Sequence, residues 1–230
     1  MPFFTSEAAI AIGLTLVVYW GSVVVYRLSN ASALLHPIIT ATLVLLSGAL
    51  MAGYPVEHLR TLLSPIDWLL GPATVALAIP LYRQVHVVKQ FGWRVLIPIV
   101  IGGVLAPLFA WLCVYVLDAP LNLQMTMMAK SITTPLAIDV TQVIGGIPPL
   151  VAVIVIITGI VGAIAAPWIF GLLGINNPVA QGIALGTVAH AMGTAKAIHL
   201  GEVTAALATL SLCVNGVFTA LGLPLLLALL

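Results

Sequence analysis

Long apolar stretches separated by short polar ones dominate the chain. Residues 95–117 and 203–230 contain no charged residue, and neither do residues 140–195. A membrane-spanning helix needs about 20 mainly apolar residues, so the first two stretches can cross a bilayer once each and the third is long enough for two crossings. Residues 8–26 and the stretch that begins at His36-Pro37 predict two earlier crossings.

Proline and glycine interrupt this pattern in both halves. The segment GPATVALAIPLY at 71–82 is apolar but short and carries a proline near each end, which predicts a discontinuous or re-entrant helix. In the second half, Pro135 lacks a backbone donor and its ring would collide with the carbonyl of Ser131. We therefore expect the helix to break and to leave carbonyl groups free between Lys130 and Thr134.

A stretch of small and polar residues lies at 182–202, GIALGTVAHAMGTAKAIHLGE. Gly182, Gly186, His190 and Thr194 recur every fourth residue, so on a continuous helix they would form one stripe. A stripe of this kind is unfavourable against lipid. It should face protein, water or a solute.

The chain also resembles itself at a shift of 113 residues, which aligns GPATVALAIPLYRQVH with ALGTVAHAMGTAKAIH. We predict an all-α polytopic membrane protein with about six to eight transmembrane helices in two repeats, each with a broken helix. The whole chain, 1–230, forms one domain with halves at about 1–117 and 118–230. Eight spans would make the halves parallel and six would make them inverted, and the distribution of basic residues mildly favours eight.

Composition supports a membrane protein and excludes several other classes. Hydrophobic residues make up 62% and charged residues 6% of the chain, and the mean hydropathy is +1.25, whereas soluble domains contain about 25% charged residues. A net charge of +1 without a basic tract argues against a nucleic-acid partner. Cys113 and Cys213 lie in apolar stretches and are interpreted as buried apolar residues.

No pattern of an enzyme, a cofactor site or a metal site is present. The chain has no GxxxxGK[ST] motif for a nucleotide and no HExxH motif for zinc. Lys130 and Ser131 are adjacent, so on a helix they would point about 100° apart and would not form a Ser-Lys dyad. We therefore expect no enzymatic activity, and transport that is passive or coupled to an ion.

Lys130, Asp139 and His190 are the ionisable residues expected at membrane depth. A charge at the centre of a bilayer costs roughly 2.5–3.5 kcal/mol on insertion scales, so each needs a partner or a wet cavity. Lys130 and Asp139 could neutralise each other across the Pro135 break. Alternatively, Lys130 and neighbouring hydroxyls could bind the carboxylate of a small anion, with support from helix N-terminal amides at the break.

His190 and Asn215 are open to two interpretations. The histidine could be hydrogen-bonded to a neighbouring helix, or it could bind an anion or carry a proton. Asn215 could simply join helices. The predicted substrate-binding residues are Lys130, Ser131, Thr133, Thr134, Asp139, Gly186, Thr187, His190, Gly193, Thr194 and Asn215.

Four motifs give the chain a resemblance to a known family. They are KSITTPLA at 130–137, IGGIP at 144–148, TGIVGAIAAP at 158–167 and QGIALGTVAHAMGTAKA at 181–197. With these motifs the chain resembles the LrgB/CidB family of bacterial inner-membrane proteins over essentially its whole length. Members usually carry Arg in the last motif where this chain has Lys196, which weakens any role that needs a guanidinium fork.

The resemblance implies a function and a partner. It implies a small holin-like membrane protein of the LrgA/CidA type as partner, a bacterial inner-membrane location, and kinship with the plastidal glycolate/glycerate translocator and with relatives linked to pyruvate uptake. The first hypothesis is a carrier of small monocarboxylates, a homo-oligomer such as a dimer in the lipid bilayer. The alternative is a holin/antiholin-type pore regulator that controls murein hydrolase export and autolysis.

Overall fold

The computed structural model describes residues 5–29, 32, 35–76, 78–83 and 89–229, and across these residues the regular structure is helical, without a strand. The helices are α1 (Ser6–Leu28), α2 (Pro37–Met51), α3 (Val56–Asp67), α4 (Leu70–Ala76), α5 (Ala78–Arg83), α6 (Trp93–Val116), α7 (Leu121–Met128), α8 (Thr134–Val143), α9 (Pro148–Leu172), α10 (Pro178–Ile198) and α11 (Glu202–Ala228).

Four of the described helices, α1, α6, α9 and α11, are long and apolar enough to cross a membrane, and α2 is a shorter apolar helix. Large apolar side chains such as Ile157, Val161 and Ile164 of α9 are more than half exposed, as expected of surfaces that face lipid rather than water. The prediction of an all-α polytopic membrane protein is confirmed.

The chain forms two compact units, residues 1–73 and 74–230. In the first unit, α1 packs against α2 and α3. Thr5 caps α1 through a hydrogen bond from Ala8 N to its Oγ1, 3.1 Å, and Pro37 occupies the first turn of α2, where its missing N–H costs nothing. The polar α3 carries an exposed ion pair between Arg60 and Glu57 at 3.6 Å.

In the second unit, α7 and α8 form a re-entrant hairpin, the first hairpin (residues 121–143). At its base, Ile147 N donates to Oγ1 of Thr126 at 2.8 Å. A Cβ atom on Gly146 would touch both Thr126 and Thr141, so the chain after α8 returns to the level of Thr126 in α7. The chain therefore enters the membrane, turns between residues 129 and 133, and returns to the side from which it came.

The helix break at Pro135 is confirmed. Helix α7 ends at Met128 and α8 begins at Thr134, with Pro135 in its first turn. Proline is favourable at this position because the first-turn N–H groups have no partner within the helix. The five residues between the two helices form the tip of the first hairpin.

Helix α10 is also a hairpin, the second hairpin (residues 178–198), and the part of it from Thr187 to His190 is its tip. His190 has φ 39° and ψ −125°, and the chain reverses there. A Cβ atom on Gly193 would collide with the carbonyl oxygen of Leu185, although residues eight apart in a continuous helix are separated by about 12 Å. The predicted stripe is therefore interrupted at His190, and Thr194 lies on the returning arm.

The first arm of the second hairpin packs closely along α11. Cβ atoms on Gly182 and Gly186 would meet the backbone of Thr204 and Ala208, respectively. Glycine at both positions lets the two helices approach closely, so the prediction that this part of the stripe faces protein is confirmed.

The two hairpins enter from opposite ends of α9. In the first half of α9, Val155 packs in one cluster with Ile132 at the first tip. The carbonyl of Val155 also contacts His190 at the second tip. Phe170, near the other end of α9, packs with Leu185 in the arm of the second hairpin. Since the second hairpin returns to the side it came from, the preference for full crossings is wrong for this segment.

The repeat at a shift of 113 residues stays a prediction. Its first copy runs through α4 and α5, which are short helices on either side of position 77. Leu77 and His86, two of its aligned positions, lie outside the described residues.

Candidate functional site

The tips of the two hairpins meet at Asn215, near the middle of α11. Its Nδ2 donates to the backbone oxygen of Ser131 at 2.9 Å and to that of Thr187 at 3.1 Å. Its Oδ1 accepts a hydrogen bond from Thr219 Oγ1 at 3.5 Å. Asn215 is 1% exposed, so a buried carboxamide in the middle of a spanning helix is satisfied by two interrupted backbones.

Helix α6 closes one side of this meeting point with two glycines. A Cβ atom on Gly103 would collide with Oδ1 of Asn215, and one on Gly102 would lie 3.1 Å from Cγ2 of Thr187. Only glycine allows α6 to approach the carboxamide so closely. The site is therefore built from four elements: both hairpin tips, α6 and α11.

Lys130 stands at the first tip with its ammonium against a hydroxyl. Its Nζ donates to Ser131 Oγ at 3.0 Å, and its side chain is partly buried. The predicted separation of about 100° assumed a helix, but residues 130 and 131 lie in the turn. The geometric premise of that prediction is wrong, because in the turn the two side chains meet, with the ammonium as hydrogen-bond donor rather than as base. The absence of a Ser-Lys dyad stays a prediction.

Two hydroxyls near the tips are buried without a hydrogen-bond partner among the described residues. They belong to Thr133 and Thr187, whose side chains are 7% and 2% exposed. Thr133 is also the N-cap residue of α8, yet its hydroxyl makes no cap hydrogen bond. Both the hydroxyls and the first-turn N–H groups of α8 are therefore available to another group.

His190 is held at the second tip by a contact with α9. Its Nε2 lies 3.1 Å from the carbonyl oxygen of Val155, and since a carbonyl only accepts, Nε2 carries the proton. Gly159 makes room for the ring, because a Cβ atom there would lie 2.8 Å from Cε1 of His190. The interpretation of His190 as a residue hydrogen-bonded to a neighbouring helix is confirmed.

Of the remaining predicted residues, four are wholly or partly buried in the two hairpins and one, Asp139, is exposed. Thr134 is partly buried in the first turn of α8, and Gly186 packs against Ala208 of α11. Gly193 and Thr194 pack within the second hairpin, where Thr194 Oγ1 donates to the carbonyl of His190 at 2.9 Å. Asp139 is exposed on α8, one and a half turns beyond the tip. Among the described residues it makes no ion pair with Lys130, so the alternative of mutual neutralisation is wrong.

Sequence reasoning missed a second internal similarity that matches the two hairpins. A shift of 60 residues places AHAMGTAKAIH at 189–199 on AKSITTPLAID at 129–139, and His190 falls on Lys130. The same shift places Asn215 on Val155, the residues of α11 and α9 that contact the tips. Together with the opposite directions from which the two hairpins enter, this similarity indicates an inverted repeat in which each copy is a hairpin and the long helix that follows it.

Comparison with known proteins agrees with the resemblance in the motifs. The LrgB-like family matches residues 15–229. The chain is 31% identical to the uncharacterized protein YwbG of Bacillus subtilis (strain 168), over 95% of this chain and 97% of the relative. It is 29% identical to the antiholin-like proteins LrgB of Bacillus mycoides (strain KBAB4) and Bacillus cereus (strain B4264), over 91% of this chain and 91% of each relative.

No solved structure matches the chain. The family match extends from the middle of α1 to the end of α11 and includes both hairpins. The chain therefore belongs to the LrgB-like family.

Proposed function

We propose that the protein is a membrane carrier for small monocarboxylates of the glycolate, glycerate or pyruvate kind, and that the anion binds between the two hairpin tips. The observation that carries the proposal is the meeting of two re-entrant tips at Asn215, near the middle of a spanning helix. Interrupted backbone at membrane depth is tolerated where it lines a cavity or a solute site, and carriers built from inverted repeats bind their substrates at such places.

The charge at the tips favours an anion. Lys130 is the one cationic residue at the first tip, and the described residues offer it a hydroxyl but no carboxylate. An unpaired ammonium at this depth is costly unless a counter-charge or water is present. One bound carboxylate would neutralise it, which fits a monoanion better than a dianion.

Neutral donors at the tips complete the proposed site. The hydroxyls of Thr133 and Thr187 are buried and unpaired among the described residues, and the uncapped first turn of α8 begins beside Thr133. A carboxylate has about four acceptor sites, which these groups and Lys130 could fill. The proposal involves binding and release only, without an enzymatic step.

The family suggests the setting in which the carrier works. We place it in the inner membrane of a bacterium, together with a small membrane protein of the LrgA/CidA type and as a homo-oligomer. The second candidate function is that of a holin/antiholin-type pore regulator, and the names of the Bacillus relatives favour it. A regulator of that kind does not require a cation and free hydroxyls gathered at one depth.

Uptake of labelled glycolate or pyruvate into proteoliposomes tests the proposal. We expect saturable uptake that falls by about tenfold or more in Lys130→Met, since a hydrogen-bonded ion pair contributes about 1.5–3 kcal/mol. Lys89→Met is the matched control, because it removes one cation from an exposed side chain and should leave uptake unchanged.

The two candidate functions give different results in the same vesicles. The carrier predicts competition among short monocarboxylates and no passage of uncharged sugars. Leakage graded by size, equal for charged and uncharged solutes and unaffected by Lys130→Met, would identify a pore and would refute the carrier. The measurement should be repeated with the LrgA-type partner present, to establish whether uptake requires it.

A further inference from the structure

One side chain connects both hairpin tips. The Nδ2 group of Asn215 has two protons, and the structure uses one for Ser131 O and the other for Thr187 O. Ser131 belongs to the first hairpin and Thr187 to the second.

The two carbonyls belong to hairpins that enter from opposite ends of α11. Thr204 and Ala208, on one side of Asn215, pack along the second hairpin. Leu223, on the other side, packs with Val140 of the first hairpin. Movement of either tip toward its own end of the membrane would therefore break one hydrogen bond of the same carboxamide.

The second tip has an additional hydrogen bond, from its own side chain to a long helix, and the first tip has no equivalent bond among the described residues. His190 binds the carbonyl of Val155 on α9, which is the position equivalent to Asn215 in the inverted repeat. Because valine has no side-chain donor, the donor of this hydrogen bond is the His190 side chain of the hairpin, and the acceptor is the backbone carbonyl of the long helix. The imidazole thus holds the second hairpin only.

We propose that Asn215 is a positioning residue whose carboxamide holds both hairpin tips in place, an arrangement called the clasp below, so that both entrances to the site are closed together. His190 holds only the second tip. The inference rests on the proposed carrier function for its meaning in transport. The clasp itself concerns the movement of the two tips, and this movement can be measured without a substrate.

Two buried threonines provide matched reporters for the tips. Thr133→Cys reports on the first hairpin and Thr187→Cys on the second. Both replace a hydroxyl that has no hydrogen-bond partner among the described residues. A membrane-impermeant maleimide is added to one face of sealed vesicles at a time. Peptide mass spectrometry then separates the reporter from the native Cys113 and Cys213.

With Asn215 intact, we expect slow labelling of both reporters. Asn215→Ala should raise both labelling rates by about tenfold or more, because two hydrogen bonds are lost, and each reporter should be reached from a different face. Asn215→Asp should behave alike, since it keeps the size but loses the amide donor. His190→Ala should raise labelling of Thr187→Cys alone.

Two further variants separate the clasp from general loosening. Ser211→Ala is the control, because Ser211 lies one turn before Asn215, is fully buried and has an unpaired hydroxyl among the described residues; labelling should stay slow. Gly103→Ala displaces the carboxamide from the α6 side without altering α11. It should raise both labelling rates as Asn215→Ala does, and it tests the clasp independently if Asn215→Ala does not fold.

Labelling rates in Asn215→Ala, Asn215→Asp and Gly103→Ala equal to those in Ser211→Ala would overturn the clasp. Acceleration of both reporters from the same face would overturn it as well, because the hairpins would not open to opposite sides. If labelling behaves as expected but the unaltered protein takes up no monocarboxylate, the clasp is supported and the proposed carrier function fails.

Discussion

His190 adopts a backbone conformation that usually requires glycine. Its φ of 39° and ψ of −125° lie close to the first central position of a type II′ turn, where glycine is preferred because it has no Cβ. A side chain in such a conformation costs about 1–3 kcal/mol. The hydrogen bond to Val155 and the ring's position against Gly159 offset part of that cost.

The strain and the imidazole can be separated by two substitutions. His190→Ala loses the hydrogen bond and keeps the strained backbone, while His190→Gly loses the hydrogen bond and relieves the strain. We expect His190→Gly to be the more stable of the two by roughly 1 kcal/mol. Thermal unfolding in detergent, followed by tryptophan fluorescence, measures the difference.

Ala191→Gly is the control for this comparison. Ala191 is the next residue, it is exposed, and it is not among the positive-φ residues of the described chain. Glycine there should destabilise the protein by about 0.5–1 kcal/mol. If His190→Gly were less stable than His190→Ala, the tip would not be strained.

At the scale of elements, the hairpins depend on hydrogen bonds at their bases as well as at their tips. Thr126 is fully buried; its Oγ1 donates to Asn122 O at 2.6 Å and accepts from Ile147 N at 2.8 Å. The second bond joins the first arm of the first hairpin to the start of α9. Thr141, on the other arm, is equally buried, but its hydroxyl has no partner among the described residues.

Valine has nearly the shape of threonine, so this pair isolates the hydroxyl. Thr126→Val should lower the free energy of unfolding by roughly 1–3 kcal/mol, because the N–H of Ile147 loses its acceptor. Thr141→Val removes an unpaired buried hydroxyl and should be neutral or slightly stabilising. Equal unfolding temperatures for the two variants would mean that the base of the hairpin is not closed by Thr126.

At the scale of the whole second unit, re-entrance decides which loops share a face of the membrane. The basic residues mildly favoured full crossings because that arrangement places most of them on one side. The backbone overrides this preference: the second hairpin returns along itself, with Gly193 against Leu185. Loops on either side of a hairpin therefore lie on one face, and α9 carries the chain to the other.

Single cysteines at exposed positions test this topology. Leu173→Cys and Leu200→Cys flank the second hairpin and should react with an impermeant thiol reagent from one face. Leu117→Cys, before the first hairpin, and Val143→Cys, at its last residue, should react from the opposite face. All four native side chains are exposed. Reaction of positions 173 and 200 from opposite faces would instead support full crossings.

Much of this protein follows from sequence alone. Apolar runs fix the spanning helices α1, α6, α9 and α11, because a bilayer requires about 20 residues whose backbone groups are satisfied within one helix. Pro135 fixes the break between α7 and α8, since a proline ring cannot fit in the middle of a helix. The four motifs between residues 130 and 197 predicted the LrgB family, which the family match confirms.

Only the tertiary structure decided that the broken segments turn back and that their tips meet. A crossing helix and a re-entrant hairpin have the same hydrophobic pattern, and His190 carries no local signal for the positive φ that reverses the chain. The partners of Asn215 lie 84 and 28 residues away along the chain. Hydrogen bonds over such separations depend on how α11 packs against both hairpins, which the local sequence does not specify.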